Sequence, residues 1–149
     1  MRHTINNLGE LLKKCERPQA EGRSCNDRDD GDSHLKVRET LEGGAAFFAR
    51  RGPLLQAIVD AAANDPEVEH LYRFGLIERF AQAVAARIRK GSTQGEMSLG
   101  LDPQAVGLAL VLMTERYLLD TVARGPEVDP EPVVEALSII WIKTLYDPD

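Results

Sequence analysis

The chain has 149 residues, long enough for one domain with a real core, and its 43% hydrophobic and 28% charged content is that of an ordinary globular protein. Its 18 basic residues are outnumbered by 24 acidic ones, giving a formal net charge of −6, which argues against a free-standing duplex-DNA binder whose affinity comes from phosphate neutralisation. The opening Met1-Arg2-His3-Thr4-Ile5-Asn6-Asn7 has no apolar run of signal-peptide length, and the longest apolar stretch, Leu108 to Met113, falls far short of the ~20 residues of a bilayer span, so the expectation is a cytoplasmic chain with no membrane contact.

Residues 1–33 read as a segment apart from the rest. Ile5, Leu8, Leu12 and Cys15 recur at helical spacing and predict a short helix over 5–16. The stretch from Arg17 to Ser33 is polar, rich in Asp, Gly, Arg and Asn, and reads as a flexible loop. Its acidic run, Asp27 to Asp32, does not make a calcium loop. With Gly31 at the turn glycine, Arg28 and Val37 fall where oxygen ligands are required. Cys15 and Cys25 lack Cys-x-x-Cys spacing and read as free thiols in a reducing compartment. No cofactor and no metal are expected.

From His34 onward the pattern is helical. Val37, Leu41, Ala45 and Phe48 make one stripe, with Phe47 beside it. Gly43-Gly44 costs about 1 kcal/mol per glycine inside a helix and suggests a close backbone approach or space reserved for something else. Gly52-Pro53 is expected to end this helix and start another, whose apolar face is Leu54, Leu55, Ile58, Val59 and Ala62.

Asp65-Pro66, Asp102-Pro103 and Asp129-Pro130 each set a capping carboxylate before a proline at the first helical position. Lys90-Gly91 and Arg124-Gly125 supply C-terminal ends. Together they predict helices over 66–90, 103–124 and 130–146, and an all-α fold. On the first of these, His70, Phe74, Ile77, Ala81, Val84 and Ile88 form one side.

The last two helices are apolar nearly all round. Val106, Leu110, Met113 and Tyr117 line one side of 103–124, while Leu108, Val111, Leu112, Leu119 and Val122 cover much of the remainder. On 130–146, Val133, Leu137, Ile140 and Trp141 share a face, and Ile139, Ile142 and Tyr146 lie on another. Burying one Leu or Ile is worth about 1.5–3 kcal/mol, so a second cover is expected. A copy of the same chain supplies it as a four-helix dimer interface, for which Leu108, Leu112, Leu119, Val122, Val134, Leu137, Ile139 and Ile142 are the candidates. A central helix pair inside a monomer is the alternative. Thr114, set among these apolar residues, either bonds back to a carbonyl one turn earlier or offers one polar contact in an apolar pocket. Glu115 and Arg116, adjacent in sequence, point about 100° apart and do not face each other.

The stretch Gly107-Leu108-Ala109-Leu110-Val111-Leu112-Met113-Thr114-Glu115-Arg116-Tyr117 and the closing Trp141-Ile142-Lys143-Thr144-Leu145-Tyr146 resemble the final two helices of TetR-type transcriptional regulators of the ethionamide-repressor branch. Phe47-Phe48 and the Asp-Pro-Glu-Val segment at 65–68 resemble that branch's central helices. The resemblance covers residues 34–149 and implies the helical bundle of a TetR C-terminal domain, dimerising through its last two helices around an elongated hydrophobic ligand pocket. It implies pocket roles for Phe47, Trp141 and Thr114, the last standing where the branch has an asparagine. Phe74, Ile77, Val111 and Tyr117 are added from helical geometry, and Phe48 and Met113 complete the expected site. Residues 1–33 do not resemble the family's helix-turn-helix head, so no direct DNA binding is expected.

The expected function is a regulatory domain that binds a small hydrophobic ligand and homodimerises. The alternatives are an interaction module that pairs with a full-length TetR-type partner, and an inactive truncated remnant. An enzyme is not expected: there is no His-Glu-x-x-His, no Gly-x-Ser-x-Gly and no phosphate-cradling glycine loop.

Overall fold

The computed structural model describes residues 29–94, 100–125 and 127–146. The expected 5–16 helix, both cysteines and most of the polar loop lie outside these. The described residues form five α-helices and no strand: α1 (Asp29–Ala62), α2 (Pro66–Tyr72), α3 (Glu78–Gln94), α4 (Pro103–Asp120) and α5 (Glu131–Leu145). A π-helical turn, Arg73–Ile77, joins α2 to α3, and a 3-10 turn, Val122–Arg124, comes after α4.

The Asp-Pro signals place the helix starts. Asp65 accepts from the amides of Glu67 and Val68, and Asp102 from those of Gln104 and Ala105. Asp129 Oδ1 accepts from the Glu131 amide at 3.0 Å. Each carboxylate satisfies amides that have no partner within their helix.

Four expectations about helix boundaries and interiors are corrected. Helix begins at Asp29, inside the segment read as loop to Ser33. The chain does not break at Gly52-Pro53: α1 runs through Pro53 as one helix of 34 residues. Proline deprives the Ala49 carbonyl of its helical partner, but Ala49 and Pro53 both lie on an exposed face of the helix. Gly52 faces the other way and is buried against the 3-10 turn, where a Cβ would stand 2.1 Å from the Ala123 carbonyl oxygen. Gly91 likewise sits inside α3, buried, rather than ending it. Gly43 and Gly44 make no close approach: a Cβ on Gly43 would meet nothing within 4 Å, and one on Gly44 only Leu118 Cδ1 at 3.9 Å.

The core lies where α4 and α5 meet the other helices. One cluster joins Leu41 and Ala45 of α1 to Leu118, Val122, Val133, Val134 and Leu137. A second joins Ile88 of α3 to Val106, Leu110 and Leu145. Helices α3 and α4 cross closely because small residues face each other: Ala81 and Ala85 are wholly buried, and a Cβ on Gly107 would lie 2.7 Å from the Ala81 carbonyl oxygen. No helix among the described residues is long and apolar enough to cross a membrane.

Candidate ligand site and the outward faces of the last two helices

Helix α4 directs Thr114 toward α5, and α5 returns Trp141 to it. The Trp141 indole N–H donates to Thr114 Oγ1 at 2.9 Å, with both residues half-buried. Met113, one residue earlier on α4, packs against both core clusters, as does Trp141. Phe48 of α1 packs on the first cluster, and Phe47 meets it edge-on with ring centroids 6.0 Å apart. Phe48, Met113 and Trp141 thus flank the first cluster, Thr114 is tied to Trp141, and Phe47 adjoins Phe48. Val111 is buried in α4.

Phe74 and Tyr117 stand apart from this group, 50% and 39% exposed, which corrects their expected place in the pocket. Phe74 instead lies against the His70 ring at 4.6 Å. The cause is the π turn, whose extra residue rotates the faces of α2 by about 100° relative to those of α3. The stripe drawn through 70, 74, 77, 81, 84 and 88 therefore splits. Ile77, Ala81, Ala85 and Ile88 are buried, while His70 and Phe74 face out.

Of the residues expected at a dimer interface, four belong to the chain's own core. Leu119, Val122, Val134 and Leu137 are between 0% and 4% exposed and have no surface left for a partner. Leu108 and Ile142 are half-buried, and Leu112 and Ile139 are exposed. Ile140, expected to share a face with Leu137 and Trp141, is also exposed, because Leu137, Trp141 and Leu145 take the inward direction at the four-residue helical step. The outward faces thus comprise Ala105, Ala109 and Leu112 on α4, and Ile139 and Ile140 on α5.

Two concavities open at these faces. A groove of about 400 Å³ runs between the start of α1 and α5, lined by His34, Leu35, Arg38, Glu135, Ser138, Ile139 and Ile142. A notch of about 120 Å³ lies beside α4, where Leu108, Leu112 and Glu115 face Tyr72 and Ile77. At its edge the Tyr72 hydroxyl donates to Glu115 Oε1. Burial raises the Glu115 carboxyl above its ordinary range, opposed by the Tyr72 hydrogen bond and the Arg116 charge. Burial and the Glu115 carboxylate together push the Tyr72 hydroxyl up. Arg116 pairs with Asp120 at 2.9 Å rather than with its neighbour Glu115, as their angular separation requires. Tyr72 was not among the expected site residues, since helical spacing alone does not place it opposite Glu115. Among the described residues no group of three or more His, Cys, Asp or Glu is arranged to hold a metal ion.

The described residues thus form an all-helical domain in which the Thr114–Trp141 pair sits beside the apolar clusters and the last two helices turn apolar residues outward. The chain belongs to the family described as transcriptional regulator EthR, C-terminal domain, whose model matches residues 37–147. It is similar to the HTH-type transcriptional regulator EthR of Mycolicibacterium smegmatis (strain ATCC 700084 / mc(2)155), with 27% identity over 116 residues, 77% of this chain. The chain spans about half the length of that curated relative, 53%.

Proposed function

We propose that this chain is a cytoplasmic, non-enzymatic regulatory domain that takes up a small hydrophobic ligand between its helices and pairs with a second copy through the outward faces of α4 and α5. The observation that carries the reading is the exposure of Leu112, Ile139 and Ile140, at 43%, 55% and 42%, on the two helices that also hold the Thr114–Trp141 pair. About half of each side chain is already covered, so burying the rest gains roughly half of the 1.5–3 kcal/mol of full burial, and a partner covering all three is favoured. Two antiparallel helices meeting their own copy make a four-helix interface with closed two-fold symmetry. The ligand part is supported by the convergence of Phe48, Met113 and Trp141 at the first cluster, with one hydroxyl, Thr114, available for orientation. The reading assigns no DNA contact to the described residues.

Light scattering tests the first half: a dimer is expected, and a clean monomer at micromolar concentration overturns it. A thermal-shift screen with apolar compounds carrying one polar group tests the second. A compound at 100 times its dissociation constant adds about 2.7 kcal/mol to stability and raises the melting temperature. No rise across a broad set overturns ligand uptake.

A further inference from the structure

We propose that Trp141 is a built-in plug of the ligand site, latched by Thr114, and that uptake of an apolar molecule requires the indole to leave. The inference rests on the ligand-sensing reading above and concerns how that site is regulated. Among the described residues, the half-buried side chains packed against both core clusters are Met113 and Trp141. They fill the seam between the α1 side of the core, at Leu41, Leu118 and Leu137, and the α3 side, at Ile88, Val106 and Leu110. A molecule lying across both clusters has to occupy that seam. Met113 yields readily, since its unbranched thioether chain re-packs around different shapes. Trp141 is rigid, and its N–H is fixed on Thr114 Oγ1 at 2.9 Å.

Thr114 is suited to both states. Its hydroxyl accepts from the indole in the closed chain, and it has a donor and a second lone pair for a ligand carbonyl or hydroxyl once the indole has gone. The favoured ligand is therefore an apolar molecule with one such group, which replaces the polar contact that Trp141 gives up. A ligand without that group competes against the latch uncompensated. Its apparent affinity is reduced by the fraction of chains in the open state. One net hydrogen bond changes that fraction by roughly 2- to 12-fold.

The chain has a single tryptophan, so its intrinsic emission reports this residue alone. The test titrates the neutral apolar dye N-phenyl-1-naphthylamine into the wild-type chain, Thr114→Val and Thr114→Ser, with dye and tryptophan emission read together. Thr114→Val keeps the shape and removes the acceptor. It is expected to red-shift the tryptophan emission and to bind the dye roughly 2- to 12-fold more tightly than wild type. Thr114→Ser, which keeps the hydroxyl, is expected to restore wild-type emission and affinity. Leu55→Ala, a deletion at a buried position of α1 outside both core clusters, controls for general loosening and is expected to leave dye affinity unchanged. Equal affinity for wild type and Thr114→Val with unshifted emission overturns the plug while the ligand-sensing reading stands. A gain in Leu55→Ala equal to that in Thr114→Val also overturns the plug. Dye uptake by none of the chains overturns the ligand-sensing reading and the plug with it.

Discussion

The Tyr72 hydroxyl donates to Glu115 Oε1, joining α2 to α4 beside the notch lined by Leu108 and Leu112. Because burial dominates, Glu115 is harder to ionise in the folded chain than its ordinary 4.5. A carboxyl whose folded pKa is raised adds stability that is complete below the unfolded value and is lost as pH rises through the folded one. Urea denaturation at a series of pH values above 4.5 should therefore show Glu115 contributing a decline in stability with rising pH. Glu115→Gln, which does not titrate, should remove that part of the slope. Tyr72→Phe should move the decline to higher pH, because the Tyr72 hydrogen bond favours the charged carboxylate. An identical pH slope in wild type and Glu115→Gln contradicts the assignment.

Pro53 lies within a continuous helix, so its replacement separates continuity from a break. In Pro53→Ala the new amide can bond to the Ala49 carbonyl. A proline in a helix interior costs about 3 kcal/mol, while the loss of its restraint on the unfolded chain gives back about 0.4–1 kcal/mol. A net gain of about 2 kcal/mol in urea denaturation is expected. A loss of stability means that the chain turns at this proline.

Glycine substitutions should divide by the space around them. Gly43→Ala meets nothing within 4 Å and should stabilise by about 0.5–1 kcal/mol through helix propensity. Gly107→Ala places a methyl 2.7 Å from the Ala81 carbonyl oxygen and should cost about 1–3 kcal/mol as α3 and α4 part. Gly52→Ala, at 2.1 Å from backbone, should cost more than Gly107→Ala. Chemical denaturation ranks the three, and a destabilised Gly43→Ala counts against the open space beside α1.

The elements legible in the sequence were those with a local physical cause. An aspartate before a proline caps a helix wherever the chain goes next, and the starts at Pro66, Pro103 and Glu131 lie within a residue of their expected places. The resemblance of two short segments gives Thr114 and Trp141 pocket roles, but that the two side chains bond to each other is not written in either segment. Pro53 and Gly91 do not break their helices because that depends on tertiary surroundings: an exposed face at Ala49 and Pro53, and burial of Gly91 within α3. The π turn carries no periodic signature of its own, so the phase of α2 relative to α3 could not be read and Phe74 was placed inward. Apolar residues on α4 and α5 exceed one stripe. Which of them faced the chain's own core depended on the packing of α1 and α3, which periodicity does not contain.

That division gives the sharpest contrast on α5, between residues two positions apart. Leu137 is 1% exposed and Ile139 is 55% exposed. Leu137→Ala should cost about 2–5 kcal/mol of folding stability through lost contacts and a cavity in the first core cluster. Ile139→Asp should leave the folding stability of a separated chain within about 0.5 kcal/mol, as for an ordinary surface change. It should shift the species seen by light scattering from dimer toward monomer, because an aspartate within the proposed interface would be buried without a partner. Leu112→Asp on α4 should act the same way. Dimerisation at wild-type strength in both aspartate variants would place the partner surface elsewhere. Loss of folding in Ile139→Asp would put that side chain back in the core.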